Sequence, residues 1–99
     1  MSRRKGERPV ARPLQRWSDD HPVAHAMRTG SDWFTAWQGQ AAMPDYRLVS
    51  TTGIPIGRIE AIRRGDYLTR AEADALARAW SVSTEDLIAS MDAPGRVID

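Results

Sequence analysis

Punctuation by proline and glycine constrains this chain most. Pro22, Gly30, Pro44, Gly53, Pro55, Gly65 and Pro94-Gly95 cut it into short stretches. Proline suits the first turn of a helix and glycine the left-handed residue just past its end. Between these marks, apolar residues recur three or four apart, the spacing that gathers them on one helical face. No segment alternates as a strand would. The expected fold class is all-α, a compact bundle of about five short helices.

Local signals place the elements. Asp19 or Asp20 ahead of Pro22 predicts a cap for a short helix near 21–28, stopped by Thr29 and Gly30. Ser31 or Asp32 caps the next, whose stripe is Trp33, Phe34, Trp37 and Ala41. Pro44 and Asp45 open a third helix that ends at Thr52-Gly53, and Pro55 opens a fourth that closes at Gly65. Thr69 and Glu72 have the spacing of a capping box for a fifth, with Ala73, Leu76, Ala77 and Trp80 inside. Ser83 or Thr84 caps the last, with Leu87, Ile88 and Met91 on its apolar face. The predicted core is Trp33, Trp37, Leu48, Ile59, Ile62, Leu76, Trp80 and Leu87. The expected organisation is a basic arm over 1–30, disordered apart from the 21–28 helix, a domain over 31–92 and a tail over 93–99.

Charge divides the 99 residues unevenly. Residues 1–16 carry six basic side chains, Arg3, Arg4 and Lys5 among them, against Glu7, a net +5. Residues 66–99 carry three arginines against seven acids, a net −4. A cationic end beside an acidic end points to a polyanionic partner for the arm. Trp17, at the end of the arm, is expected to fold back on the domain. No apolar run approaches the roughly 18 residues of a membrane span, and no apolar segment follows the basic start as in a secretory signal. With no cysteine there is neither a disulfide framework nor a thiolate metal site, which suits a reducing cytoplasm.

Catalytic chemistry is not expected. His21 and His25, with Asp20 nearby, share a helical face, but nothing completes a four-ligand zinc site; both histidines are expected to be exposed. No nucleophile–base pair or phosphate loop appears. Neither a metal nor a cofactor is expected.

The informative stretch is 48–65, two short helices joined at one glycine. That is the form of a helix-turn-helix, whose second helix can enter the major groove. Ile59 and Ile62 would anchor this helix, leaving Gly57, Arg58, Glu60, Ala61 and Arg64 largely outward at 100° per residue. Leu48, Thr52-Gly53-Ile54, Ile59, Ile62, Arg64-Gly65, the run from Leu76 to Ser83, and Asp86-Leu87-Ile88 together resemble the lambda-repressor-like, Cro/Xre-type helix-turn-helix family, over about residues 31–91. The resemblance implies a five-helix bundle, DNA binding by the 55–64 helix, and dimers on palindromic sites with half-sites about 34 Å apart.

This chain departs from the family's pattern at named positions. Val49 stands where the family has a small residue, Arg63 where it often has Glu, Ser81 where a glycine is usual and Trp80 where Leu is usual. Ile56, Gly57 and Ala61 occupy positions that commonly carry hydrogen-bonding side chains. Ile56 and Ala61 can touch thymine methyl groups, and Gly57 leaves room for the backbone to approach. The candidate DNA-binding residues are therefore Arg58 for a guanine contact; Arg47, Arg63 and Arg64 for phosphates; Pro55, Ile56, Gly57 and Ala61 at the groove; and Arg3, Arg4 and Lys5 from the arm. Two functions compete. One is a sequence-specific double-stranded-DNA-binding regulator, homodimeric on DNA. The other is a protein-interaction module, adaptor- or antitoxin-like, that docks a partner through the arm, Trp17 or the Val97-Ile98 tail. A regulator with both partners would combine them.

Overall fold

Four caps show how local chemistry lays out the chain. Asp32 Oδ1 accepts the Thr35 N–H at 2.9 Å and Ser83 Oγ accepts that of Asp86 at 3.1 Å. Thr69 and Glu72 close a reciprocal box: Thr69 Oγ1 accepts the Glu72 N–H at 3.1 Å, and Glu72 Oε1 accepts the Thr69 N–H at 2.9 Å. The fourth cap corrects an expectation. His21, rather than Asp19 or Asp20, precedes Pro22 as the cap, and its Nδ1 accepts the Val23 N–H at 3.0 Å.

The computed structural model describes residues 14–92 and 95–98. Among these the fold is all-α, with six helices: α1 (Pro22–Arg28), α2 (Trp33–Ala41), α3 (Asp45–Thr52), α4 (Ile56–Arg63), α5 (Arg70–Trp80) and α6 (Thr84–Ser90). Two-residue strands β1 (Leu68–Thr69) and β2 (Val97–Ile98) pair in parallel, Leu68 with Val97 and Thr69 with Ile98. Such a strand is too short to show alternation in sequence. The pairing ties down the Val97-Ile98 tail, which the interaction reading had left for a partner.

All eight predicted core residues are buried. The centre is aromatic. Trp37 and Trp80 lie parallel at 6.3 Å, and Phe34 meets Trp80 edge-on at 5.2 Å. Such pairs add about 0.5–1.5 kcal/mol each beyond area burial. Trp37 Nε1 donates to the buried Ser90 Oγ at 2.9 Å, so its polar end is satisfied.

The core reaches further toward the N-terminus than expected. Val23 and Ala24 of α1 are buried, and Trp17 packs against the core, as expected of it. Residues 14–30 thus belong to the packed unit rather than to an arm. His21 is buried too, against expectation, with its ring 4.9 Å from that of Trp37 and 5.5 Å from that of Trp17. Because Nδ1 accepts, Nε2 carries the proton and donates to Gln15 Oε1 at 2.8 Å. Burial pushes the His21 pKa down. His25 is exposed, as expected.

Candidate nucleic-acid interface

The turn between α3 and α4 is three residues long, and each contributes. Gly53 ends α3 at φ 77°, where a Cβ would be strained, and its N–H bonds to the Val49 carbonyl at 2.8 Å. Ile54 is buried beneath the turn. Pro55 caps α4, and its carbonyl accepts the N–H groups of Arg58 and Ile59. The Thr52 hydroxyl pins the corner by donating to the Leu48 carbonyl at 2.7 Å and accepting the Ile54 N–H at 3.1 Å.

Ile59 and Ile62 hold α4 to the core with no exposed surface. Ile56, Gly57, Glu60 and Arg64 are exposed on the other side, with Ala61 half-buried and Pro55 exposed at the entrance. A Cβ added to Gly57 would meet no atom within 4 Å, so internal packing does not require glycine there.

Of the four candidate arginines among the described residues, two are committed inward. Arg58 does not present a free fork for guanine. Its Nε and Nη2 donate to the two Glu72 oxygens at 2.8 and 3.1 Å, its Nη1 donates to Asp66 Oδ2 at 2.8 Å, and Nη2 also reaches the Tyr67 carbonyl. These hydrogen bonds hold the Glu72 and Asp66 carboxyls below their usual pKa and raise that of Arg58. Arg63, expected at a phosphate, instead donates to Asp45 Oδ1 at 2.6 Å and Gln38 Oε1 at 3.0 Å, its guanidinium 5.2 Å from the Phe34 ring centre. The Asp45 carboxyl is held low by the Gln38 amide first and by Arg63 second. Arg63 therefore ties the end of α4 to the start of α3.

Arg47 and Arg64 are different. Both are exposed and make no side-chain hydrogen bond or ion pair among the described residues. Arg47 borders a cleft of about 580 Å³ between the α2–α3 connection and the end of α5, and Gln15 borders the same cleft. Gln15 is anchored there. Its N–H bonds to the Ser81 carbonyl at 2.8 Å, and its side-chain amide donates to the Trp80 carbonyl at 2.8 Å. Gln15 thus lies on the side of the packed unit where Arg47 stands. Arg3, Arg4 and Lys5 lie outside the described residues.

The residues that shape this surface without being foreseen are Gln15, Asp45, Asp66 and Thr52. Asp45 and Thr52 carried only local signals, as an acid in the first turn of α3 and a hydroxyl next to its C-cap glycine. No cluster of three or more metal-ligating side chains occurs among the described residues, and none of their helices is long and apolar enough to cross a membrane. Comparison of the chain with protein-family models, curated proteins and solved structures returns no match.

Proposed function

We propose that this chain is a sequence-specific double-stranded-DNA-binding transcriptional regulator of the Cro/Xre type. In this reading α4 lies in the major groove, and Arg47, Arg64 and the basic N-terminal residues meet phosphates. It acts as a homodimer, in the cytoplasm. One observation carries the reading: immediately after a three-residue turn, α4 is buried only through Ile59 and Ile62 and exposes Ile56, Gly57, Glu60 and Arg64. The major groove is about 12 Å wide and admits one such helix. Arg47 and Arg64 supply phosphate contacts that fix register without reading sequence.

Selection of duplexes from a random library, followed by salt titration on the winner, tests the proposal. The expected result is a palindromic motif and an affinity that falls as salt rises, with a log–log slope of about −0.9 per phosphate contacted. The rival reading, a protein-interaction module, draws on the inward pairing of Arg58 and Arg63 and on Tyr46 and Tyr67, which are 75% and 57% exposed. Absence of binding at low salt would overturn the DNA reading and favour that rival, whose own test is capture of a protein partner.

A further inference from the structure

We propose that α4 reads the 5-methyl group of pyrimidines, and that no arginine–guanine contact sets its specificity. The preferred site carries thymine or 5-methylcytosine where Ile56 and Ala61 meet the groove. The inference rests on the DNA-binding reading and specifies which duplexes it takes.

Three observations lead there. First, the side chain that reads guanine best is spent. Arg58 gives Nε, Nη1 and Nη2 to Glu72, Asp66 and the Tyr67 carbonyl. Withdrawing it would leave the Glu72 carboxylate, which also closes the α5 capping box, without its cation. Arg63 gives Nη2 to Asp45 and Gln38.

Second, what remains outward on α4 is apolar or acidic up to its last turn. Ile56 is 44% exposed, Gly57 has open space above it and Ala61 is half-buried. Apolar side chains reward one feature of the major groove, the methyl on pyrimidine C5. Glu60 is exposed and accepts only; it disfavours the two acceptors of guanine and suits the amino group of cytosine or adenine.

Third, Gly57 lies within the first turn of α4, where alanine would make a better helix, and no internal contact excludes a side chain. A missing Cβ at that place lets the helix backbone come close to the base edges beside Ile56. Arg64, just past the end of α4, is exposed without an ion-pair partner among the described residues and places a positive charge beside this face for a phosphate.

The experiment uses the unmodified protein and changes only the duplex. Starting from the selected site, each thymine is replaced in turn by deoxyuridine, which removes the methyl alone. Each cytosine is replaced by 5-methylcytosine, which adds it. Each guanine is replaced by 7-deazaguanine, which removes the N7 acceptor. Thymine reading predicts roughly fourfold weaker binding for each critical methyl removed, the equivalent of one buried methyl group. Reading of 5-methylcytosine predicts a similar gain on cytosine methylation and no effect of deoxyuridine. Both predict little response to 7-deazaguanine. Ile56→Ala should remove the methyl sensitivity, so that its affinities for the methylated and the methyl-free duplex converge. Tight binding that is indifferent to every methyl, or that collapses with 7-deazaguanine, would overturn the inference and leave DNA binding standing. Failure to bind any duplex at low salt would overturn both.

Discussion

The α3–α4 corner and the α5–α6 corner turn in the same way. Each places one residue in the left-handed region, Gly53 at φ 77° and Ser81 at φ 62°, and each follows it with a buried aliphatic side chain, Ile54 and Val82. They differ in what covers them. At α5–α6, Gln15 bonds to the Ser81 and Trp80 carbonyls, and Asp86 accepts the Trp17 N–H at 3.1 Å and Arg16 Nε at 3.2 Å. Arg70 bridges to Glu85 at 2.8 Å, and the Thr84 hydroxyl donates to Asp74 at 2.6 Å. At α3–α4, the hydrogen bonds of the turn stay within the corner, through Thr52, and no other segment among the described residues covers Gly53, Pro55, Ile56 or Gly57. Other segments cover the first corner, while the second leaves the turn and the start of α4 exposed. Under the proposed function, the first corner serves stability and the second recognition.

The largest effect that would break this division is truncation at the covered corner. Trp80→Ala removes the residue around which Trp37, Phe34 and Trp33 pack. It should cost about 3–5 kcal/mol in chemical denaturation. A cost below about 1 kcal/mol would mean that this corner is not the stabilising one.

Exchanging the two turn residues sharpens the contrast. Gly53→Ala forces a Cβ into the left-handed region and should cost about 1–2 kcal/mol. Ser81→Gly relieves the same strain and should stabilise by a few tenths to about 1 kcal/mol. Thermal unfolding of both variants checks the signs. Two losses would show that Ser81 has a function its conformation does not reveal.

A smaller effect appears on acidification, through His21. It holds the covered corner indirectly, by capping α1 through Nδ1 and holding Gln15 through Nε2–H. Protonation places a hydrogen on Nδ1 where it must accept from Val23. Because burial puts the folded pKa below the unfolded value of about 6.5, the stabilisation is complete above that pH. It is lost as pH falls from there toward the folded value. Denaturation curves between pH 8 and pH 5 should show this loss in the native chain. They should show less of it in His21→Asn, which keeps a capping side chain. Identical slopes would remove His21 from the account.

The helices and their order were legible in the sequence because their signals are local. Thr69 and Glu72 announce a capping box three residues apart, and Ile59 and Ile62 announce a buried face one turn apart. The charged side chains were not legible. Counting at 100° per residue puts Arg58 on the outer side of α4, yet its length carries the guanidinium sideways to Asp66 and Glu72, eight and fourteen residues on. Arg63 finds Asp45 eighteen residues back, and Gln15 finds Trp80 across 65. No periodicity records such partners, so the helix that carries the candidate site was legible and the pairing of two of its arginines was not. His21 misled for a related reason: histidine beside aspartates reads as surface, and only the return of Trp17 onto Trp37 buries it.

The most direct measurement is the salt dependence of duplex affinity for the native chain and for Arg47→Ala combined with Arg64→Ala. Thermal unfolding of both proteins serves as the control. The account predicts an unchanged melting temperature, weaker binding on all sequences alike, and a log–log slope shallower by about 1 for each arginine removed. An unchanged slope, or no binding by the native chain at low salt, would contradict the proposal that these two arginines meet DNA phosphates.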